Sequence, residues 1–110
     1  MTSQELENLP YIKPYVEQVK GYINTIEKNH EITKEIKEKF SKYNEICNIL
    51  LEKREHAIKK INGISNARIK AAIIAHYFYN RSWVNVASAL NKGDTADSIR
   101  IAVKRYIKSL

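Results

Sequence analysis

Between Asn66 and Leu110, apolar residues recur at helical spacing in three segments separated by two short polar turns. The segments span 67–79, 83–90 and 96–110. The middle one places Trp83, Val86, Ala87 and Leu90 at i, i+3, i+4 and i+7, one stripe of a short amphipathic helix. The first offers Ile69, Ala72, Ile73, His76 and Tyr77 to a core. The third is expected to bury Ile99, Val103, Tyr106 and Leu110, leaving Thr95, Ser98, Arg100, Lys104, Arg105 and Lys108 on its other faces. The pattern predicts a three-helix unit with a helix-turn-helix at its end.

The helix ends carry their own signals. Ser65 or Asn66 caps the first helix and Ser82 the second. Asp94 is expected to cap the last helix, with Asp97 three residues on as the reciprocal member of a capping box. Ala87 rather than Ala89 reads as the buried small residue of the helix-turn-helix, because only Ala87 lies on the Trp83–Val86–Leu90 face. Asn91 then takes the left-handed turn position in an extended turn, 91–94, with Gly93 as a second flexible point.

Upstream, apolar residues recur about every 3.5 positions from Ile12 onward. One set holds Ile12, Val19, Ile26, Thr33, Phe40, Cys47, Arg54 and Ile61; the other holds Tyr15, Tyr22, Asn29, Ile36, Tyr43, Leu50 and Ala57. This is the spacing of a helical hairpin or coiled coil. The stripe weakens at Lys28-Asn29-His30-Glu31. A break there is preferred to one helix, which would run roughly 70 Å from Pro14 to Ile61. Pro10 and Pro14 predict a loose N-terminus, with Pro14 in the first turn of the helix. Asn62-Gly63 is a helix stop, through the left-handed conformation that Gly tolerates. No strand alternation or repeat occurs, so the fold class is all-α. It is divided into an N-terminal helical hairpin or coiled coil, 1–62, and a C-terminal three-helix helix-turn-helix, 63–110.

Charge separates these halves. Residues 1–62 carry 11 Lys/Arg against 10 Asp/Glu, whereas residues 63–110 carry 8 against 2. A basic segment beside a balanced one points to a polyanion partner. Lys outnumbers Arg 14 to 5 and Ile, Asn and Tyr are abundant, the bias of an AT-rich coding sequence from a low-GC bacterium or its phage.

Other classes find little support. Cys47 is the single cysteine, which excludes an internal disulfide, and it reads as a small core hydrophobe. His30, His56 and His76 stand too far apart to suggest a metal site. No phosphate-cradling Gly-rich loop is present, and the alternating Glu and Lys of the first half read as a solvated helix face. Trp83 lies on an apolar stripe and reads as core. The expectation is a protein that is not an enzyme and needs no cofactor. The longest apolar run, Ala71–Ala75, cannot cross a bilayer, and the acidic N-terminus lacks a signal-peptide core. The expected location is therefore the cytoplasm of a bacterial host cell, away from the membrane.

A short helix, a sharp turn and a longer basic helix are the parts of a major-groove reader. The string from Tyr77 to Leu90, followed by Asp97-Ser98-Ile99-Arg100 and Lys104-Arg105-Tyr106, resembles the sigma-factor-like helix-turn-helix of phage transcription regulators of the ArpU/RinA type. Their pattern is an aromatic-rich helix end, a Ser-Trp start, a buried Ala and Leu, and a Thr/Ser-Val/Ile-Arg recognition helix. The likeness covers about forty residues and the upstream half in character only. It implies a sequence-specific transcription regulator whose last helix enters the major groove of double-stranded DNA. Thr95, Ser98, Arg100, Ile101 and Lys104 would then face base edges, and Arg81, Lys92, Arg105 and Lys108 would hold phosphates. The N-terminal helices would serve a homodimer or contact RNA polymerase or another host protein. Two other readings stay open. One is a small-terminase-like DNA-packaging protein. The other is a phage-encoded inhibitor of a host or defence protein, consistent with carboxylates Asp94 and Asp97 at the end of the last helix that would face DNA.

Overall fold

The computed structural model describes residues 1–90 and 93–110. They form an all-α chain with no strand among them. Two long helices come first, α1 (Ser3–Asn29) and α2 (Lys34–Asn62). Then follow α3 (Ala67–Ile73), a π-helical segment (Ile74–Phe78), α4 (Trp83–Leu90) and α5 (Ala96–Lys108). No helix among the described residues is long and apolar enough to cross a membrane.

The chain breaks where the upstream stripe weakens, at residues 30–33. Thr33 occupies a core position of the 3.5-residue pattern, yet it is exposed and acts as a cap. Its Oγ1 accepts from Ile36 N at 3.2 Å and its carbonyl accepts from Lys37 N at 3.0 Å, starting α2.

The N-terminus is not loose, contrary to the expectation from Pro10 and Pro14. Thr2 Oγ1 accepts from Glu5 N at 3.1 Å and opens α1 well before either proline. Leu6 and Leu9, three residues apart, are then buried on the same side. Both prolines sit inside α1, where each removes one ladder hydrogen bond. Burial of the two leucines outweighs that local cost.

Two compact units can be distinguished: Met1–Pro10 with His56–Leu110, and Tyr11–Glu55. In the first unit, α3, α4 and α5 pack against one another. Its core holds Leu6, Leu9, Ile61, Ile64, Ile69, Ile73, Val86, Ile99, Val103 and Ile107. Burial raises the Tyr77 phenol above its ordinary value, the Ser3 side chain partly offsets this, and the Glu7 charge adds to it.

In the second unit the buried residues of α1 are Ile12, Val16 and Ile23, and those of α2 are Phe40 and Cys47. The second expected set departs from this. Tyr15, Tyr22 and Tyr43 are exposed, and on α1 the aliphatics one residue further along take their place. A phenol that is buried needs a partner for its hydroxyl, whereas Val16 and Ile23 need none.

Helix ends show two further differences. α2 does end at Asn62, but Gly63 does not adopt a positive φ. Among the described residues the left-handed positions are Asn80 (φ 54°) and Gly93 (φ 74°). The N-cap of α5 is Thr95, not Asp94.

Candidate nucleic-acid interface

The ends of α3 and α4 follow from local chemistry. Asn66 caps α3 by accepting from Ile69 N at 3.1 Å. Ser82 Oγ accepts from Asn85 N at 3.2 Å at the start of α4. Between these helices the ladder widens: Tyr79 N reaches Ile74 O at 3.2 Å, a step of five residues. Asn80 then takes the left-handed conformation and turns the chain towards α4.

Aromatic packing fixes this corner. The His76 ring stacks on Trp83 with centroids 3.8 Å apart, and Tyr77 meets Trp83 edge-on at 6.1 Å. His76 Nδ1 donates to the Arg81 carbonyl at 2.7 Å, which sets the ring plane and the tautomer. Trp83 is half-buried, while Val86 and Ala87 are buried and Ala89 is exposed. The α4 stripe therefore faces the core through Ala87, as its spacing predicts.

At the start of α5, Thr95 and Ser98 form a capping box. Thr95 Oγ1 accepts from Ser98 N at 3.1 Å, and Ser98 Oγ accepts from Thr95 N at 2.9 Å while donating to Thr95 O at 3.0 Å. Asp94 and Thr95 are both good caps, and the helix uses the second. Asp94 turns instead to α3, where Arg68 engages both of its carboxylate oxygens; the Nε–Oδ2 distance is 2.9 Å. This hydrogen bonding holds the Asp94 carboxyl below the usual carboxylate range against the opposing effect of desolvation. Neither the pair nor the π-helical segment leaves a sequence signal, since Arg68 and Asp94 are 26 residues apart.

The buried register of α5 is Ile99, Val103 and Ile107, with Tyr106 and Leu110 half-buried rather than fully enclosed. Its outward face then carries Asp97, Ser98, Ile101, Lys104, Arg105 and Lys108, all exposed. Ile101 is 41 % exposed in the middle of the cations. Arg100 lies at the edge of this face, half-buried, with Nη2 3.6 Å from Asp97 Oδ1. Arg81 is exposed in the loop before α4. Thr95 is exposed, but its hydroxyl oxygen is used in the cap. Lys92 and Asn91 lie outside the described residues. The structure thus gathers Ile101, Lys104, Arg105 and Lys108 on one face and sets Arg100 and Thr95 to its side.

No group of His, Cys, Asp and Glu that could hold a metal ion occurs among the described residues. No protein-family model, curated protein or solved structure matches this chain.

Proposed function

We propose that the chain is a sequence-specific DNA-binding transcription regulator of a phage or mobile element, akin to the ArpU/RinA type. It acts in the cytoplasm of the bacterial host as a homodimer. The observation that carries the reading is the outward face of α5. Lys104, Arg105 and Lys108 stand there around an exposed Ile101, on the last of three helices that pack together. Cations at helical spacing can hold phosphates on both sides of a groove, and an aliphatic side chain between them can meet a thymine methyl.

Of the two carboxylates at this end of α5, Asp94 is engaged and Asp97 stays exposed and opposes phosphate. Asp94 is held by Arg68, and Asp97 lies beside Arg100. The exposed Asp97 keeps some weight for the alternative of a phage-encoded inhibitor of a host or defence protein, which would be favoured if the chain ignored duplex DNA and bound one host protein.

The test is titration of the full chain with duplex DNA at several salt concentrations. Affinity should fall steeply as salt rises, because each phosphate contact releases a counterion. Absence of binding at low salt, or a flat salt dependence, rules the reading out. Selection of bound fragments from the source genome would then identify the site.

A further inference from the structure

Three of the four tyrosines left outside the core of the Tyr11–Glu55 unit gather on one helix. Tyr11, Tyr15, Gln18 and Tyr22 follow at i, i+4, i+7 and i+11 along α1 and share a face. The three tyrosines are 71, 46 and 60 % exposed. At about 100° per residue, Lys13, Glu17, Lys20 and Glu27 point away from the tyrosines, although Glu17 lies one turn before Gly21 at the border of the face; Glu7, one turn before Tyr11, and Lys28, two turns after Gly21, stand at its two ends. The residues beside the tyrosines are Pro14, Gly21 and Thr25, which carry no charge.

Gly21 adds an independent observation. Gly is among the poorest helix formers, and it stands in the interior of a 27-residue helix. Nothing lies within 4 Å of the position a Cβ would take there, so no neighbour within the chain requires a glycine. A glycine in that position allows another backbone to come close. Thr25 Oγ1 donates to the Gly21 carbonyl at 2.9 Å, so its hydroxyl is satisfied within the helix and its methyl group can face a partner. Beside them, Tyr15, Gln18, Val19 and Tyr22 of α1 and Tyr43 of α2 line a groove of about 360 Å³, roomy enough for an aromatic ring.

We propose that α1 pairs with α1 of a second copy of this chain about a two-fold axis near Gln18 and Gly21, through the tyrosine face. In an isologous contact each patch meets itself, so charges near the axis would meet like charges. The tyrosine stretch around Gln18 carries no charge and avoids that repulsion, and the opposite charges Glu7 and Lys28 stand at opposite ends of the face, away from the axis. Tyrosines suit such a contact because their rings pack offset or edge-on and their hydroxyls stay wet at the rim. The four exposed tyrosines alone offer on the order of 400 Å² per copy, about half of what a standard interface buries on each side. The proposal deepens the homodimer part of the reading above and does not depend on DNA.

Light scattering on the full chain at tens of micromolar tests it. A dimer is expected. Tyr22→Glu and Gly21→Leu should each weaken pairing by about tenfold or more while circular dichroism keeps its helical signal. Gly21→Leu is the sharper variant, because it favours the helix and blocks only the approach. Under oxidation, Gln18→Cys should cross-link two copies and Lys20→Cys should not, with Cys47 kept out of the reaction by burial. A monomeric wild type, a dimer that both variants leave intact, or equal cross-linking at positions 18 and 20 would overturn the proposal. Duplex binding measured on the same samples separates this outcome from failure of the DNA reading.

Discussion

Arg68 on α3 grips both carboxylate oxygens of Asp94, the residue before the N-cap of α5. This pair fixes the start of α5 against α3. It also removes a negative charge from the approach to the α5 surface, so the cations further along that helix act with less opposition. A fork-shaped guanidinium suits the task, because a lysine cannot make two parallel contacts to one carboxylate.

The pair makes stability depend on acid pH. The Asp94 carboxyl is held below its ordinary value in the folded chain, chiefly by the Arg68 hydrogen bonds. Its contribution is therefore present above an unfolded-state pKa of about 4 and is lost as pH falls through the lower folded value. Asp94→Asn should be less stable than wild type at pH 7, with the gap closing in strong acid. Denaturant titrations at pH 7 and in acid measure it. A gap of the same size at both would show that the charge of Asp94 plays no part.

Much of this was legible in the periodicity. The α4 spacing singles out Ala87 over Ala89, and Ala87 is buried while Ala89 is exposed. What periodicity cannot reach depends on tertiary placement. Pro10 and Pro14 look like helix breakers, but burial of Leu6 and Leu9 overrides them. The cap of α5 fell one residue from its expected place because Asp94 and Thr95 both have capping chemistry and only the position of Arg68 decides between them. The cations of the candidate surface can be read from the sequence. Their grouping cannot, because it turns on whether the third buried position of α5 is Tyr106 or Ile107.

The capping box gives a second test. Thr95→Ala removes the acceptor for Ser98 N and should cost about 1 kcal/mol. Asp97→Ala, at a more exposed position in the first turn, should cost less through the helix dipole alone. Thermal melts of the two variants compare them directly. If Asp97→Ala proves the more damaging, Thr95 is not the working cap.

The His76–Trp83 stack should be energetically coupled. Trp83→Ala is expected to cost about 2–4 kcal/mol, somewhat below a fully enclosed tryptophan because Trp83 is half-buried. His76→Ala should cost less, and the double mutant should reveal a coupling of about 1 kcal/mol. Additive losses would mean that the two rings are merely adjacent.

The last prediction concerns the edge of the α5 face. Arg100 must leave Asp97 to reach a guanine edge, whereas Lys104, Arg105 and Lys108 are already exposed. On the DNA reading, Lys104→Ala and Arg105→Ala should weaken all duplexes alike and each lower the salt slope by about 1. Arg100→Ala should cost on the order of 1–3 kcal/mol at the preferred sequence and far less at a scrambled one. Asp97→Ala should act in the opposite direction, because it frees Arg100 and removes a charge that repels phosphate. Titrations of the four variants against a preferred and a scrambled duplex distinguish these roles. If Arg100→Ala and Lys104→Ala lose preferred and scrambled binding in the same ratio, Arg100 holds the backbone and base reading falls to Ile101 and its neighbours.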